Sequence, residues 1–357
     1  MQTIQFVPSL GSRAAASGAL KPNFTQAVPL SLYVHIPWCV RKCPYCDFNS
    51  HAAPEQLPEN ELVDALLQDL TLALPGIWGR RVETVFFGGG TPSLLSPQAI
   101  DTLITGFRTL LPLSPQAEIT LEANPGTVDA ARFAAFRAAG VTRLSLGIQS
   151  FNDESLHALG RIHDRAQAIS AIEAAAQHFD TFNLDLMVGL PQQDTAAALA
   201  DINQALAFNP PHFSCYQLTL EPHTPFAAAP PAHLPDEDVC AEIQDKLEVR
   251  LAETGYTHYE TSAFALPGHQ CRHNLNYWTF GDYLGIGPGA HSKLTNHEGA
   301  RRQHARIGVV TKILQQQEAL RLIGGQHRQI RVALDPALLA VGAVRQDRKS
   351  TRLNSSH

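Results

Sequence analysis

Cys39, Cys43 and Cys46 fall within eight residues, in Trp38-Cys39-Val40-Arg41-Lys42-Cys43-Pro44-Tyr45-Cys46, and form the densest chemistry of the 357-residue chain. Thiolates are soft ligands that suit iron–sulfur clusters or zinc. Three of them on one short loop can hold three corners of a cubic cluster. The fourth iron then has no protein ligand, and an open site on a redox cluster is where a substrate binds and takes an electron. Structural zinc is a competing reading; it needs a fourth ligand, which Cys271 or His273 could supply. Three ordinary reduced thiols are the remaining one. The other cysteines, Cys215, Cys240 and Cys271, are scattered, so the set reads as thiols of a reducing cytosolic compartment and not as a disulfide framework.

These residues need elements to position them. Between Leu30 and Leu220 a short β-branched or aromatic run, a turn and a helix-period stretch alternate repeatedly. The pattern predicts strands over Leu30–Ile36, Val82–Phe87, Ala117–Ala123, Val141–Ile148, Phe182–Val188 and His212–Leu220. Over Glu59–Leu74 the residues Leu62, Val63, Leu66, Leu67, Leu70 and Leu74 recur at spacings of three and four, which predicts a helix with one apolar stripe. Six such units in series imply a parallel sheet, because parallel neighbours need long crossovers. Periodicity leaves an open doubly wound sheet and a partial barrel equally open, and both place function at the strands' C-terminal ends. The cysteines after Ile36, Gly88-Gly89-Gly90 after Phe87, Glu122 and Asn124, Gln149 and Asp185 all fall at or near such ends.

Composition bounds the rest. Apolar residues make up 44% and charged residues 17%, with 24 Gly and 24 Pro, which describes an ordinary folded protein. A formal charge of −6 offers no field for nucleic acid or an anionic membrane. No apolar run long enough to span a bilayer occurs, and no apolar targeting core precedes Pro29. The expected organisation is a flexible extension (1–29), a core (30–221), a Pro/Ala-rich linker (222–235) and a small C-terminal α+β module (236–299) with a helix near Asp236–Thr254. From residue 284 onward there is no Phe, Tyr or Trp, and 12 Lys and Arg stand against 4 Asp and Glu. Residues 300–346 are set apart as a candidate non-native stretch, and 347–357 resemble the translation of a sequencing-library adapter.

The spacing C-x-x-x-C-x-Φ-C, with Tyr45 as the aromatic residue, together with the glycine turn after the second strand, resembles the radical S-adenosylmethionine (SAM) superfamily. That resemblance implies a partial (β/α)6 TIM-like barrel and a [4Fe-4S] cluster on Cys39, Cys43 and Cys46. It also implies SAM chelating the open iron, to be cleaved reductively to a 5′-deoxyadenosyl radical. The phrases Tyr33-Val34-His35-Ile36-Pro37-Trp38-Cys39, Gly88-Gly89-Gly90-Thr91-Pro92-Ser93, Glu122-Ala123-Asn124-Pro125, Gly147-Ile148-Gln149-Ser150, Asn183-Leu184-Asp185-Leu186-Met187 and His273-Asn274-Leu275-Asn276-Tyr277-Trp278 resemble its oxygen-independent coproporphyrinogen III oxidase-like group, over roughly 30–292. Carried over by motif, Tyr33 and Tyr45 lie near the cofactor and Gly89, Gly90 and Thr91 meet its methionyl end. Glu122, Gln149, Arg161 and Asp185 contact the remainder. Each has a plainer reading: the glycines turn the chain, Asp185 caps backbone, and Arg161 is a surface charge.

Oxidases of the group carry another cysteine two residues after the third ligand, where this chain has Phe48. In that respect it is similar to the group's haem chaperones. The expectation is a protein that holds haem, the cluster and SAM and passes haem to an acceptor protein. Oxidative decarboxylation of coproporphyrinogen III is the alternative, and whether the chain is an enzyme turns on this choice. His273 is the leading haem ligand and His291 the second, with Cys271 as a candidate for covalent attachment. The plain reading of His273 is a backbone hydrogen bond. A flavodoxin- or ferredoxin-like electron donor completes the implied partners.

Overall fold

In a computed structural model of the chain, residues 28–295 and 301–305 are described. The expectations for 1–27 and for the region after 305, including the adapter-like tail, lie outside them. The elements in chain order are β1 (Leu30–Ile36), β2 (Trp38–Cys39), β3 (His51–Ala52), α1 (Glu59–Ala73), β4 (Val82–Gly89), α2 (Pro97–Leu110), β5 (Leu113–Ala123), α3 (Ala130–Ala138), β6 (Arg143–Gln149), α4 (Asp153–Ala158) and α5 (Arg165–His178). They continue with β7 (Phe182–Val188), α6 (Thr195–Leu206), β8 (His212–Gln217), α7 (Pro225–Ala228), α8 (Glu237–Glu253), β9 (Thr257–Glu260), β10 (Ala263–Ala265), α9 (Arg272–Trp278), β11 (Asp282–Ile286), β12 (His291–Thr295) and β13 (Arg301–Ala305).

Helix starts are written into the loops. Ser96, Asp129, Asn152, Asp164, Asp194 and Asp236 each accept a hydrogen bond from a backbone N–H of the first turn, and Asp164 forms a full capping box with Gln167. The α1 stripe buries Leu62, Val63, Leu66 and Leu70. The fourth strand starts at Arg143, two residues later than its composition predicts. Val141 is spent on the end of α3: its N–H donates to Phe136 O at 3.1 Å while Gly140 turns at φ +106°, the glycine closure of a helix C-terminus.

One eleven-stranded sheet has the order β13-β12-β11-β1-β4-β5-β6-β7-β8-β10-β9. From β1 through β8 the main strands are parallel and neighbours follow sequence order. No reversal of order occurs, so the winding is that of a barrel and not of a doubly wound sheet. The segment 236–299 adds to both edges of this sheet: β9 and β10 extend it antiparallel beyond β8, and β11 pairs parallel with β1. None of the described helices is long and apolar enough to cross a membrane.

Helix α9 shows that the sheet curls. Trp278 Nε1 donates to Glu260 Oε2 of β9 at 3.0 Å, and Asn276 Nδ2 donates to the Asp282 carbonyl of β11 at 2.8 Å. In a flat sheet these strands would stand roughly 38 Å apart, at about 4.8 Å per strand. The seven-residue helix is only about 10 Å long. It therefore crosses the floor of a curved sheet, tied midway to β4 and β5. Glu118 accepts from the Arg272 and His273 N–H groups at 3.1 Å each, and Thr84 Oγ1 lies 2.7 Å from His273 Nδ1.

Candidate functional site

The site lies at the opposite end of the strands and begins with the glycine turn after β4. Gly90 N–H donates to Ile36 O and Thr91 N–H to Trp38 O, both at 2.7 Å, which clamps the turn to the start of the cysteine loop. Glycine is required at two positions. Gly89 has φ +109°, and a Cβ there would lie 2.6 Å from the His35 ring; a Cβ on Gly90 would lie 2.5 Å from Trp38 O. His35 Nε2 donates to Asn49 O at 2.9 Å, so its Nδ1 accepts the Tyr33 hydroxyl at 3.1 Å. The segment expected to be a linker also supports the loop. Thr224 caps α7, whose Phe226 donates its N–H to Pro44 O at 3.1 Å and packs its ring 6.3 Å from Tyr45.

Cys39, Cys43 and Cys46 are free, partly buried, and line one open cavity of about 120 Å³. Tyr45, Phe48, Gly89, Gly90, Thr91 and Glu122 share its walls, as do Gln149, Arg161, Asp185 and Tyr216. Most of the expected site residues are thus brought together. Tyr33 is not in the lining: it sits beneath the turn with its hydroxyl on His35. His273 is a correction. It lies in the floor with Nδ1 on Thr84, and Nε2 is 3.2 Å from the Tyr277 hydroxyl. Because Thr84 donates onward to Ser31, it is Nδ1 that carries the proton and Nε2 that accepts from Tyr277. Burial pushes this imidazole down to a pKa of about 3, and neither nitrogen is open to haem iron. Cys271 is equally enclosed, with Sγ 3.5 Å from Glu118 and from Asn274.

The residues fit a cubic cluster with an organic ligand. The three thiols line one space with polar groups and a glycine turn opposite them, as a cluster that keeps one corner for an organic ligand needs. The fourth ligands that zinc would need, Cys271 and His273, are committed to the floor. Burial raises the Cys39 and Cys46 thiols, and coordination to iron is what would hold them as thiolates. Arg161 reaches across the cavity. It donates to Asn124 Oδ1, to Gly147 O at 2.7 Å and to Cys43 Sγ at 3.8 Å, while its buried Nε has no partner.

Two buried carboxyls face each other electrostatically. Burial, then the Asp185 charge, pushes Glu122 up to about 8; burial pushes Asp185 up to about 6. Asp185 is partly compensated by Asn183 and Ser145, at 2.7 and 3.2 Å. A group whose folded-state pKa is raised binds more protons folded than unfolded. Its stabilisation is complete below the unfolded value and is lost as pH rises through the folded one. Ligand-free protein should therefore lose stability from about pH 5 to 8, at up to about 1.4 kcal/mol per pH unit per group. Glu122→Gln should flatten that slope in urea titrations across this range; an unchanged slope would show that Glu122 is ionised throughout.

Asn124, Ser145, Gly147 and Tyr216 belong to the site although motif transfer did not assign them there. Gln149 has φ +70°, left-handed for a side-chain-bearing residue. Three hydrogen bonds hold it there: Tyr216 OH donates to its Oε1 at 2.5 Å, and the buried Asp201 accepts from Ser150 Oγ at 2.6 Å and Phe151 N–H at 2.8 Å. Strand periodicity carries the missed signal. Ser145, Gly147 and Gln149 alternate along β6, and Ser214 and Tyr216 along β8, so one face of each strand is polar in a buried sheet.

Comparison with known proteins agrees with this geometry. The model of the radical SAM superfamily matches residues 33–202. The chain is 55% identical over 272 residues to the heme chaperone HemW of Escherichia coli, covering 76% of this chain and 72% of that protein. It is 53% identical over 272 residues to that of Haemophilus influenzae, covering 75% and 71%. Among solved structures, the coproporphyrinogen III oxidase HemN from Escherichia coli, a radical SAM enzyme, matches with a TM-score of 0.67 at 27% identity, over 78% of this chain and 72% of that one.

Proposed function

Because the chain belongs to the radical SAM superfamily and, within it, to the HemW family, we propose that it is a haem chaperone that binds haem and passes it to an acceptor protein. The observation that carries this reading is Phe48 in the wall of the cysteine-lined cavity, joined to 55% identity with a heme chaperone. An apolar ring stands where the oxidases of the group are expected to carry another thiol.

In this reading Cys39, Cys43 and Cys46 hold a [4Fe-4S] cluster. Gly89, Gly90 and Thr91 receive the methionyl end of SAM, and Glu122, Gln149, Arg161 and Asp185 receive the rest, with Tyr45 beside them. When bound, cluster and SAM together supply one-electron reduction of a sulfonium. The chain's own part is to orient and to balance charge. Arg161 faces the thiols, and the Glu122 and Asp185 carboxyls can ionise against a cationic ligand or accept from hydroxyls. The electron comes from a flavodoxin- or ferredoxin-like donor in a reducing cytosolic compartment, in keeping with six free cysteines.

The structural likeness to HemN supports a second reading, oxidative decarboxylation of coproporphyrinogen III. Anaerobic protein with cluster, SAM, reductant and either haem or coproporphyrinogen separates the two. Stoichiometric haem binding and its transfer to an apo-haemoprotein, with no protoporphyrinogen formed, is the expected result. Accumulating protoporphyrinogen would reverse the order of the two readings.

A further inference from the structure

With His273 enclosed in the floor, the haem iron has no ligand, and the surroundings of the other histidines narrow the choice. His35, His163 and His212 are buried within hydrogen bonds. His258 lies 3.7 Å from Glu248, and His269 is bonded to Thr181. His51 and His291 are exposed and flank a single contact between the cysteine loop and the turn before β12.

That contact is Asn49. Its Nδ2 donates to Pro288 O at 3.0 Å, and a Cβ on Gly289 would lie 2.5 Å from the same nitrogen, so the turn is fitted to it. A carbonyl can only accept, which fixes the amide's orientation and turns Oδ1 toward His51 Nε2, 3.3 Å away. Nε2 therefore carries the proton and Nδ1 presents a lone pair. Metal-bound imidazoles are typically held in this way, with the second nitrogen donating to an oxygen that sets tautomer and ring direction. His291 starts β12 three residues after Pro288 and is exposed. Both rings lie close enough to His35 to influence its charge.

The neighbourhood suits a flat ligand that carries two carboxylates. Ala52, exposed, and the half-buried Pro54 follow His51 in the chain, and Phe48 lies in the wall of the adjoining cavity, so the rim carries apolar surface. Arg41 and Lys42 are exposed on the same loop, and Lys42 Nζ is held 2.8 Å from Phe48 O. Cations there complement propionates on a chain whose formal charge is −6.

We propose that haem docks on this rim, with His51 Nδ1 as its iron ligand, His291 as the second imidazole, the apolar strip against the macrocycle, and Arg41 and Lys42 toward the propionates. The proposal rests on the haem-chaperone reading, and its test keeps the two apart. Full-length protein carrying its cluster is titrated with ferric haem anaerobically, followed by optical and electron paramagnetic resonance spectra. Wild type should give a six-coordinate low-spin centre. His51→Gly should weaken binding about tenfold or more and lose the low-spin signal, which added imidazole restores. His291→Ala should bind but turn high-spin, while His223→Ala should match wild type. Wild-type protein that binds no haem would end the chaperone reading together with this site. Wild type that binds, with His51→Gly and His291→Ala both retaining its spectrum and affinity, would overturn the site alone. So would loss of the low-spin signal in His273→Ala only. Unchanged iron and sulfide content in each variant shows that the cysteine loop is intact.

Discussion

Replacing any one of Cys39, Cys43 or Cys46 by alanine should reduce acid-labile sulfide and iron, after anaerobic reconstitution, from a full complement to background, and should abolish SAM binding with them. The reason is coordination. A cubic cluster with three protein ligands has already given up one corner, and removing a second thiolate leaves half its irons without protein. The fold should survive, because the loop carries these side chains into an open cavity and not into the core. Cys215→Ala, a change at a buried thiol distant from the loop in sequence, serves as the contrast: sulfide content stays as in wild type. A stable, full cluster in any of the three loop variants would mean that the thiols do other work.

A second large effect is expected in the floor. Glu118→Ala should lower unfolding free energy by about 2–4 kcal/mol, read as a shift in the urea midpoint. The carboxylate accepts the first two N–H groups of α9 and sits within the field of Arg143, which is 2% exposed. Its removal leaves a buried guanidinium short of countercharge and two helix-start donors without an acceptor. Glu118→Gln keeps acceptor atoms and loses charge, so it should cost less, about 1–3 kcal/mol. Equal, small losses for both would show that Arg143 is balanced by Asp185 alone.

The six parallel strands were legible because buried parallel strands read as dense apolar runs, as in Leu30–Ile36 and Phe182–Val188. Their ordering was not. Periodicity says nothing about which neighbour a crossover reaches, and only the strand pairing separates barrel from doubly wound sheet. The strands β9 to β13 escaped notice for a different reason. They are three to five residues long and several are polar, so two-residue alternation has no length in which to appear. At the site, motifs located the cysteines, glycines, Glu122, Gln149 and Asp185. They could not tell that Tyr33 spends its hydroxyl on His35 or that His273 lies at the far end of the strands. Residue type carries chemistry, but burial and partners, which decide whether an imidazole can serve as a ligand, come from long-range packing. Tyr216 shows the converse: an ordinary strand tyrosine becomes part of the site through Gln149.

The parallel pairing of β1 with β11 brings Leu30 beside Asp282, and Asn49 meets Pro288 across 239 residues of chain. On a ribosome adding about 5–20 residues per second, the first strand and the loop behind it wait tens of seconds for their closing neighbour. The rim of the cysteine-lined cavity is therefore completed late in synthesis, and a nascent chain arrested before β11 would present its cysteine loop without the turn that Asn49 holds.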